Sequence, residues 1–232
     1  MRIDKFLSVT GKASRSESSR AARAGRITVN GVIARDCSRH IDPEKDEICF
    51  DGIKVLYREF IWIMMNKPAG VLSASEDRKQ KTVIDLLPPE LQEKGLFPCG
   101  RLDKDTVGLL MLTNDGALSH ALLSPRHHAE KSYYFRLSRP YDNARGIENG
   151  IMMDGKLTKP AKIVMRDALC GVITLTEGKY HQIKRMFAYA GCTVVYLKRI
   201  SFAGVKLDPS LGEGEWRYLT PEEEEALRRA PV

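Results

Sequence analysis

Asp103 and Asp105 stand two residues apart, crowded together with the cations Arg101 and Lys104, inside the run G-R-L-D-K-D-T-V-G-L-L-M-L-T-N-D-G at residues 100–116. A carboxylate fixed beside a cation can act as a nucleophile or as a base. The same spacing suits a structural ion pair between Arg101 and Asp103 that steadies a loop, and composition alone does not separate the two readings. Residues 107–112 are apolar, broken only by Gly108, and read as a fully buried strand. Asp115 then caps a helix whose Leu118 and Leu122 are four residues apart. The charged loop is therefore expected at the edge of a packed core.

Two further stretches carry side chains that could serve such a carboxylate. In E-K-S-Y-Y-F-R-L, residues 130–137, strand alternation puts Tyr133, Phe135 and Leu137 on one face and Tyr134 on the other. In E-G-K-Y-H-Q-I-K-R-M-F, residues 177–187, helical spacing aligns Ile183, Met186, Phe187 and Ala190, and Gly191 is placed to end the helix. His181 has no companions at ligand spacing, so no metal is expected. The five cysteines are scattered without a C-x-x-C pair, which predicts reduced thiols rather than a disulfide framework or a zinc site.

The elements that must position these residues divide at about residue 58. Of the net charge of +7, residues 1–40 carry +6, with nine Lys and Arg against three Asp and Glu. A basic head on a nearly neutral body implies contact with a polyanion. Within the head, Ile3, Phe6 and Leu7 share one face of a first helix that Gly11 can end. Ser14 and Glu17 form a capping-box pattern ahead of a small, basic helix over residues 15–24, which Gly25 stops. Asn30-Gly31 and Asp51-Gly52 each sit between short strand-like runs and predict two hairpins. Arg15, Arg20, Arg23 and Arg26 are the candidates for phosphate contact, since a guanidinium matches phosphate oxygens and cannot lose its charge.

Residues 57–60 read as a linker, and residues 61–65 as a buried strand ended by N-K-P-A-G, where proline and glycine make a rigid turn. Residues 73–81 read as a solvated loop, and residues 82–87 as a short helix ended by Pro88-Pro89. Pro125 ends the helix capped by Asp115, and Arg126, His127 and His128 follow as a basic cluster. Further strands are expected at residues 162–164, 172–175, 193–197 and 216–219, with Lys198 and Arg199 placed to reach phosphate. Thr220-Pro221-Glu222 opens a terminal helix. Hydrophobic content of 43% is ample for a core, but the longest apolar run is far too short to cross a bilayer and no signal peptide opens the chain. No membrane association is expected, and the cytoplasm is the default location.

G-R-L-D followed by D-T-x-G-L-L-x-L-T-N-D-G resembles the signature of the pseudouridine synthases that modify ribosomal RNA, and K-P-x-G at residue 67 recurs in the same family. R-x-D-K-F-L, S-R-S-E and G-R-I-T-V-N-G resemble the S-four-type RNA-binding domain. Y-H-Q-I-K-R-M-F is most similar to the small-subunit, RsuA-like branch. The resemblance implies an α+β chain: a small N-terminal α/β RNA-binding domain at residues 1–58, then a catalytic domain at residues 59–232 built on a mixed, mainly antiparallel sheet flanked by helices. It makes Asp103 the catalytic carboxylate, Tyr133 of K-S-Y the residue that stacks on the target base, and Lys184 the cation that pairs with the aspartate. Leu197 packs beside the site, and Arg101 and Ile183 support it. The implied reaction isomerises a uridine of 16S rRNA, free or in a precursor of the small subunit, by a monomeric enzyme without cofactor. A large-subunit (23S) target, or a non-catalytic RNA-binding assembly factor, are the alternatives.

Overall fold

In the computed structural model, residues 1–55, 57, 60–124, 129–142 and 146–230 are described. The chain divides into two compact units, Met1–Glu59 and Phe60–Val232.

The first unit packs two helices on a small antiparallel sheet. Helix α1 (Ile3–Val9) is followed by α2 (Arg15–Arg23), and then by strands β1 (Ile27–Val29), β2 (Val32–Ile33), β3 (Ile48–Phe50) and β4 (Ile53–Lys54), ordered β2-β1-β3-β4. The Ser14 hydroxyl accepts from the Glu17 amide while the Glu17 carboxylate accepts from the Ser14 amide at 2.8 Å, closing the expected capping box. Asn30 and Gly31 have φ of 51° and 78°, and Asp51 and Gly52 have 53° and 75°, the positive values that a two-residue hairpin turn demands. Ile3, Phe6, Leu7, Ala21, Ala22, Ile27 and Ile48 are buried together. The small alanines let α2 approach this core closely, which leaves its long basic side chains on the outer face.

The second unit is organised by a large mixed sheet. Its elements are β5 (Trp62–Lys67), α3 (Pro89–Gln92), β6 (Phe97–Cys99), β7 (Val107–Thr113), α4 (Gly116–Leu123), β8 (Lys131–Leu137), a hairpin of β9 (Met152–Met153) and β10 (Lys156–Leu157), β11 (Lys162–Met165), β12 (Cys170–Leu175), α5 (Gln182–Tyr189), β13 (Val194–Phe202), β14 (Val205–Lys206), β15 (Trp216–Tyr218) and α6 (Pro221–Arg229). The sheet runs β11-β12-β8-β13-β7-β5-β15, with β14 beside β13 and β6 beside β7. Among the described residues, the strands of this sheet pair antiparallel except β13 with β7. Every residue of β5 and β7 is buried, because both faces of the sheet are covered. Ile63, Met65, Leu110 and Leu112 join the apolar cluster on one face, and Trp62, Met64, Leu109 and Met111 join the other. This two-sided burial explains why β7 reads as a continuous apolar run rather than an alternating one.

Gly108 is required where β7 meets β13. Its φ is +99°, and a Cβ there would lie 2.3 Å from the carbonyl oxygen of Arg199. Side chains are excluded by this approach, and it sets the register Val107 to Lys198 and Gly108 to Arg199.

Three local expectations change. Residues 82–87 form only a 3-10 turn, Ile84–Leu86, and the prolines begin a helix rather than end one: Pro89 is the first residue of α3. Strand β5 continues through Asn66 and Lys67, so only Pro68-Ala69-Gly70 leaves the sheet. Arg199 does not reach outward. It is 1% exposed, and its Nε donates to the Leu109 carbonyl at 2.6 Å, tying β13 to β7. The basic cluster of Arg126, His127 and His128 lies outside the described residues. Among those described, no helix is long and apolar enough to cross a membrane.

Candidate active site

The loop from Gly100 to Thr106 leads into β7, and its backbone is held from several directions. The Ser73 hydroxyl donates to the Leu102 carbonyl at 3.0 Å and accepts from the Leu102 amide at 3.1 Å. The Thr106 amide closes a turn on the Asp103 carbonyl at 3.1 Å, and the Gly70 amide donates to the Lys104 carbonyl at 2.8 Å. Beneath the loop lies Lys67, fully buried at the end of β5. Its ammonium donates to the carbonyls of Pro68 (2.9 Å), Thr106 (3.0 Å) and Lys104 (3.3 Å). Burial pushes this lysine down to about 8, against the pull of Asp105 and Asp103. The lysine of K-P-x-G is thus a clamp on the acidic loop, a role that its local sequence, legible only as a turn, does not reveal.

The loop aims Asp103 at the start of α5. Lys184, in the first turn of that helix, places Nζ 3.1 Å from Asp103 and 2.6 Å from Asp105. The shorter contact belongs to Asp105, a residue singled out in sequence only as a neighbour. Burial would lower the Lys184 pKa, but the hydrogen bonds to Asp105 and Asp103 outweigh it and raise the pKa above the ordinary value. The same hydrogen bond holds the Asp105 carboxyl below its usual range. Asp103 and Lys184 are each about a quarter exposed, so the pair is reachable from solvent yet partly desolvated. Arg101 forms no ion pair with Asp103 among the described residues; this exposed residue lines both the small cavity around Asp103 and the cleft beside it.

His181 was not expected here as a site residue. Its Nε2 lies 3.6 Å from Oδ1 of Asp103, while Lys184 contacts Oδ2. It precedes α5 in the left-handed region, φ 49°, and this turn is braced by the buried Gln182. Gln182 accepts from the Lys179 amide at 2.8 Å and donates to Glu177 at 2.6 Å. Sequence spacing marked Gln182 only as part of a motif; its bracing role requires the folded turn.

Tyr133 comes from β8, paired with Ile173 of β12 and Arg199 of β13, and is 9% exposed. Together with Leu197 of β13 and Ile183 of α5 it walls a cavity of about 100 Å³ that also contains Asp103 and Lys184. Next to it lies a cleft of about 760 Å³ that shares Asp103, Tyr133, Lys179 and His181 and extends past Lys104 and Tyr180. The arrangement offers a carboxylate with a cation on it, an aromatic wall, apolar sides, and a wider cationic approach.

In the other unit, Arg15, Arg20 and Arg23 are exposed on α2, and no ion pair among the described residues engages them. Arg26 differs: its Nε donates to Asp51 at 2.6 Å, and its guanidinium lies 5.2 Å from the Phe50 ring centroid.

Comparison with known proteins places this geometry in a family. Residues 61–189 match the family model described as RNA pseudouridylate synthase, and residues 1–48 match the S4 domain. An uncharacterized RNA pseudouridine synthase of Bacillus subtilis is 48% identical over 96% of both chains. Ribosomal small subunit pseudouridine synthase A of Haemophilus influenzae is 40% identical, covering 98% of this chain and 99% of its own; that of Escherichia coli is 39% identical, covering 96% and 98%. A crystal structure of a pseudouridylate synthase, 40% identical, superposes with a TM-score of 0.69 over 98% of this chain and 99% of its own. With the acidic loop, the α5 lysine and the tyrosine wall gathered on this sheet, the chain belongs to the RsuA-like family of RNA pseudouridine synthases and carries an N-terminal S4 domain.

Proposed function

We propose that this chain converts one uridine of small-subunit (16S) ribosomal RNA to pseudouridine, with Asp103 as its catalytic carboxylate. The reaction detaches uracil from its ribose, turns it, and rejoins it through ring carbon five. Atoms and electrons balance within the nucleotide, so neither cofactor nor metal is called for. What supports the reading most is that Asp103, 3.1 Å from Lys184, opens into the cavity walled by Tyr133. Lys184 balances the carboxylate charge and fixes its direction. Tyr133 supplies a flat surface for the uracil ring, with Leu197 and Ile183 excluding water around it. Arg101, which lines both the cavity and the wider cleft, supports the site with a positive charge. Extracting the nucleotide from its stack costs a few kcal/mol, which phosphate contacts from Arg15, Arg20 and Arg23 offset. Arg26, already engaged with Asp51, contributes less. The target is the RNA itself or a precursor of the small subunit, met in the cytoplasm by a monomer.

Support for a 16S target comes from the relatives named for the small subunit, two of which span nearly the whole chain. Mapping pseudouridine across ribosomal RNA from cells with and without the protein tests the proposal directly. Loss of a single pseudouridine from 16S rRNA, restored by the purified chain acting on that RNA, is the expected result. Loss from 23S rRNA would move the target to the large subunit, and no loss from either would overturn the reading.

A further inference from the structure

Tyr180 leaves 72% of its surface in solvent and belongs to none of the three apolar clusters. Its ring is laid on that of His181, centroids 3.8 Å apart and planes 19° from parallel. This placement is held by backbone, not by core packing. His181 adopts φ 49°, a conformation unfavourable by about 1–2 kcal/mol for a residue with a Cβ. Gln182 fixes the turn from below through Lys179 and Glu177. An aromatic side chain kept in water by a strained, braced turn beside a cationic cleft has the form of a surface prepared for an unpaired base.

Its place relative to the two spaces of the site says which base. Ile183, Lys184 and Leu197 line only the smaller cavity, which Tyr133 and Asp103 also line. Tyr180 and Lys104 line only the larger cleft. Asp103, Tyr133, Lys179 and His181 border both. A uracil drawn against Tyr133 would leave its neighbours along the strand in the larger cleft, where Tyr180 stands and where Lys104 and Lys179 can meet their phosphates. Resting on the proposed reaction, we propose that Tyr180, backed by His181, is the stacking platform for the nucleobase adjacent to the reacting uridine, and so helps to choose the sequence or loop that is modified.

The platform is a positioning device, and its removal should raise KM more than it lowers kcat. Tyr180→Ala should lose about tenfold in kcat/KM, as expected for one base–aromatic stack. Tyr180→Phe should restore the loss and Tyr180→Leu, of similar bulk but without a ring, should not. The deciding experiment uses fragments of small-subunit rRNA containing the mapped uridine, with an abasic nucleotide on its 5′ or its 3′ side. Wild-type protein should lose about tenfold on one of the two fragments, and Tyr180→Ala should lose nothing further on that fragment. Independent, multiplying losses, or a Tyr180→Ala enzyme equal to wild type on intact RNA, would overturn the platform. Absence of any turnover by the wild-type chain on the intact fragment would instead strike at the functional reading itself. Because the side chain is exposed, thermal unfolding of all three variants should match wild type; a lowered transition would show that Tyr180 serves the fold and would also overturn the proposal.

Discussion

On α2 of the N-terminal unit, Arg15, Arg20 and Arg23 point into solvent with no ion pair among the described residues, whereas the cations around Asp103 are restrained. Lys184 is shared by two carboxylates, and Lys67 is sealed under the acidic loop against three carbonyls. The difference follows from what each charge has to do. Attraction to a phosphate backbone acts through water over about a Debye length and needs exposed charge, adaptable in position. Controlling one carboxylate needs a cation at a fixed distance, partly removed from water, where each contact is stronger. The same residue types therefore serve opposite purposes according to burial.

Substitutions can break this contrast in graded steps. Asp103→Asn keeps the size and removes the charge; isomerisation should fall by roughly 10⁴-fold or more, in the range seen when a central catalytic group is lost. RNA affinity, measured by filter retention, should change little, and comparable turnover in this variant would refute the assignment. Lys67→Met leaves the carbonyls of Lys104, Thr106 and Pro68 without their donor, which should cost about 1–3 kcal/mol of stability. Thermal unfolding should register that loss, and turnover should drop with it as the acidic loop loosens. An equally stable, equally active variant would show that the clamp is dispensable.

Arg15→Ala combined with Arg23→Ala should weaken RNA binding and reduce the slope of log affinity against log salt by about 2, one for each phosphate contact removed. An unchanged slope would take both arginines off the contact surface. The smallest effect is expected at Asp105, whose side chain is 73% exposed. Since pairing with Lys184 lowers its pKa in the folded state, the pair stabilises above the ordinary carboxyl pKa of 3.8 and that contribution fades as pH falls through the lower folded value. Asp105→Asn should therefore be less stable than wild type by no more than about 1 kcal/mol near neutrality. The two proteins should converge in acid, and a gap that persists or widens there would disprove the linkage.

Much of this was readable along the chain because it depends on near neighbours. The capping box at Ser14 and Glu17, the two hairpin turns at Asn30-Gly31 and Asp51-Gly52, and the buried strand of residues 107–112 are all set within a few residues. Spacing made Asp103 a candidate, and family likeness added Tyr133 and Lys184; the fold brings all three to one cavity. What was missed has a common cause. Lys67 read as part of a turn because its acceptors, Lys104 and Thr106, lie nearly forty residues further on. Arg199 read as a surface cation because nothing near it in sequence reveals that its partner is the Leu109 carbonyl on a neighbouring strand.

The sequence by itself determined the local order of helices, caps and turns, the basic head, and the residue types from which a carboxylate site could be made. Tertiary structure alone decided which cation meets which carboxylate, that Asp105 shares Lys184 with Asp103, that His181 and Tyr180 face the cleft, and that Lys67 lies beneath the loop. The physical reason is that backbone propensities act over a few residues. Charge pairing and desolvation depend on distances that exist only after remote strands, β5, β7, β8 and β13, have packed into one sheet.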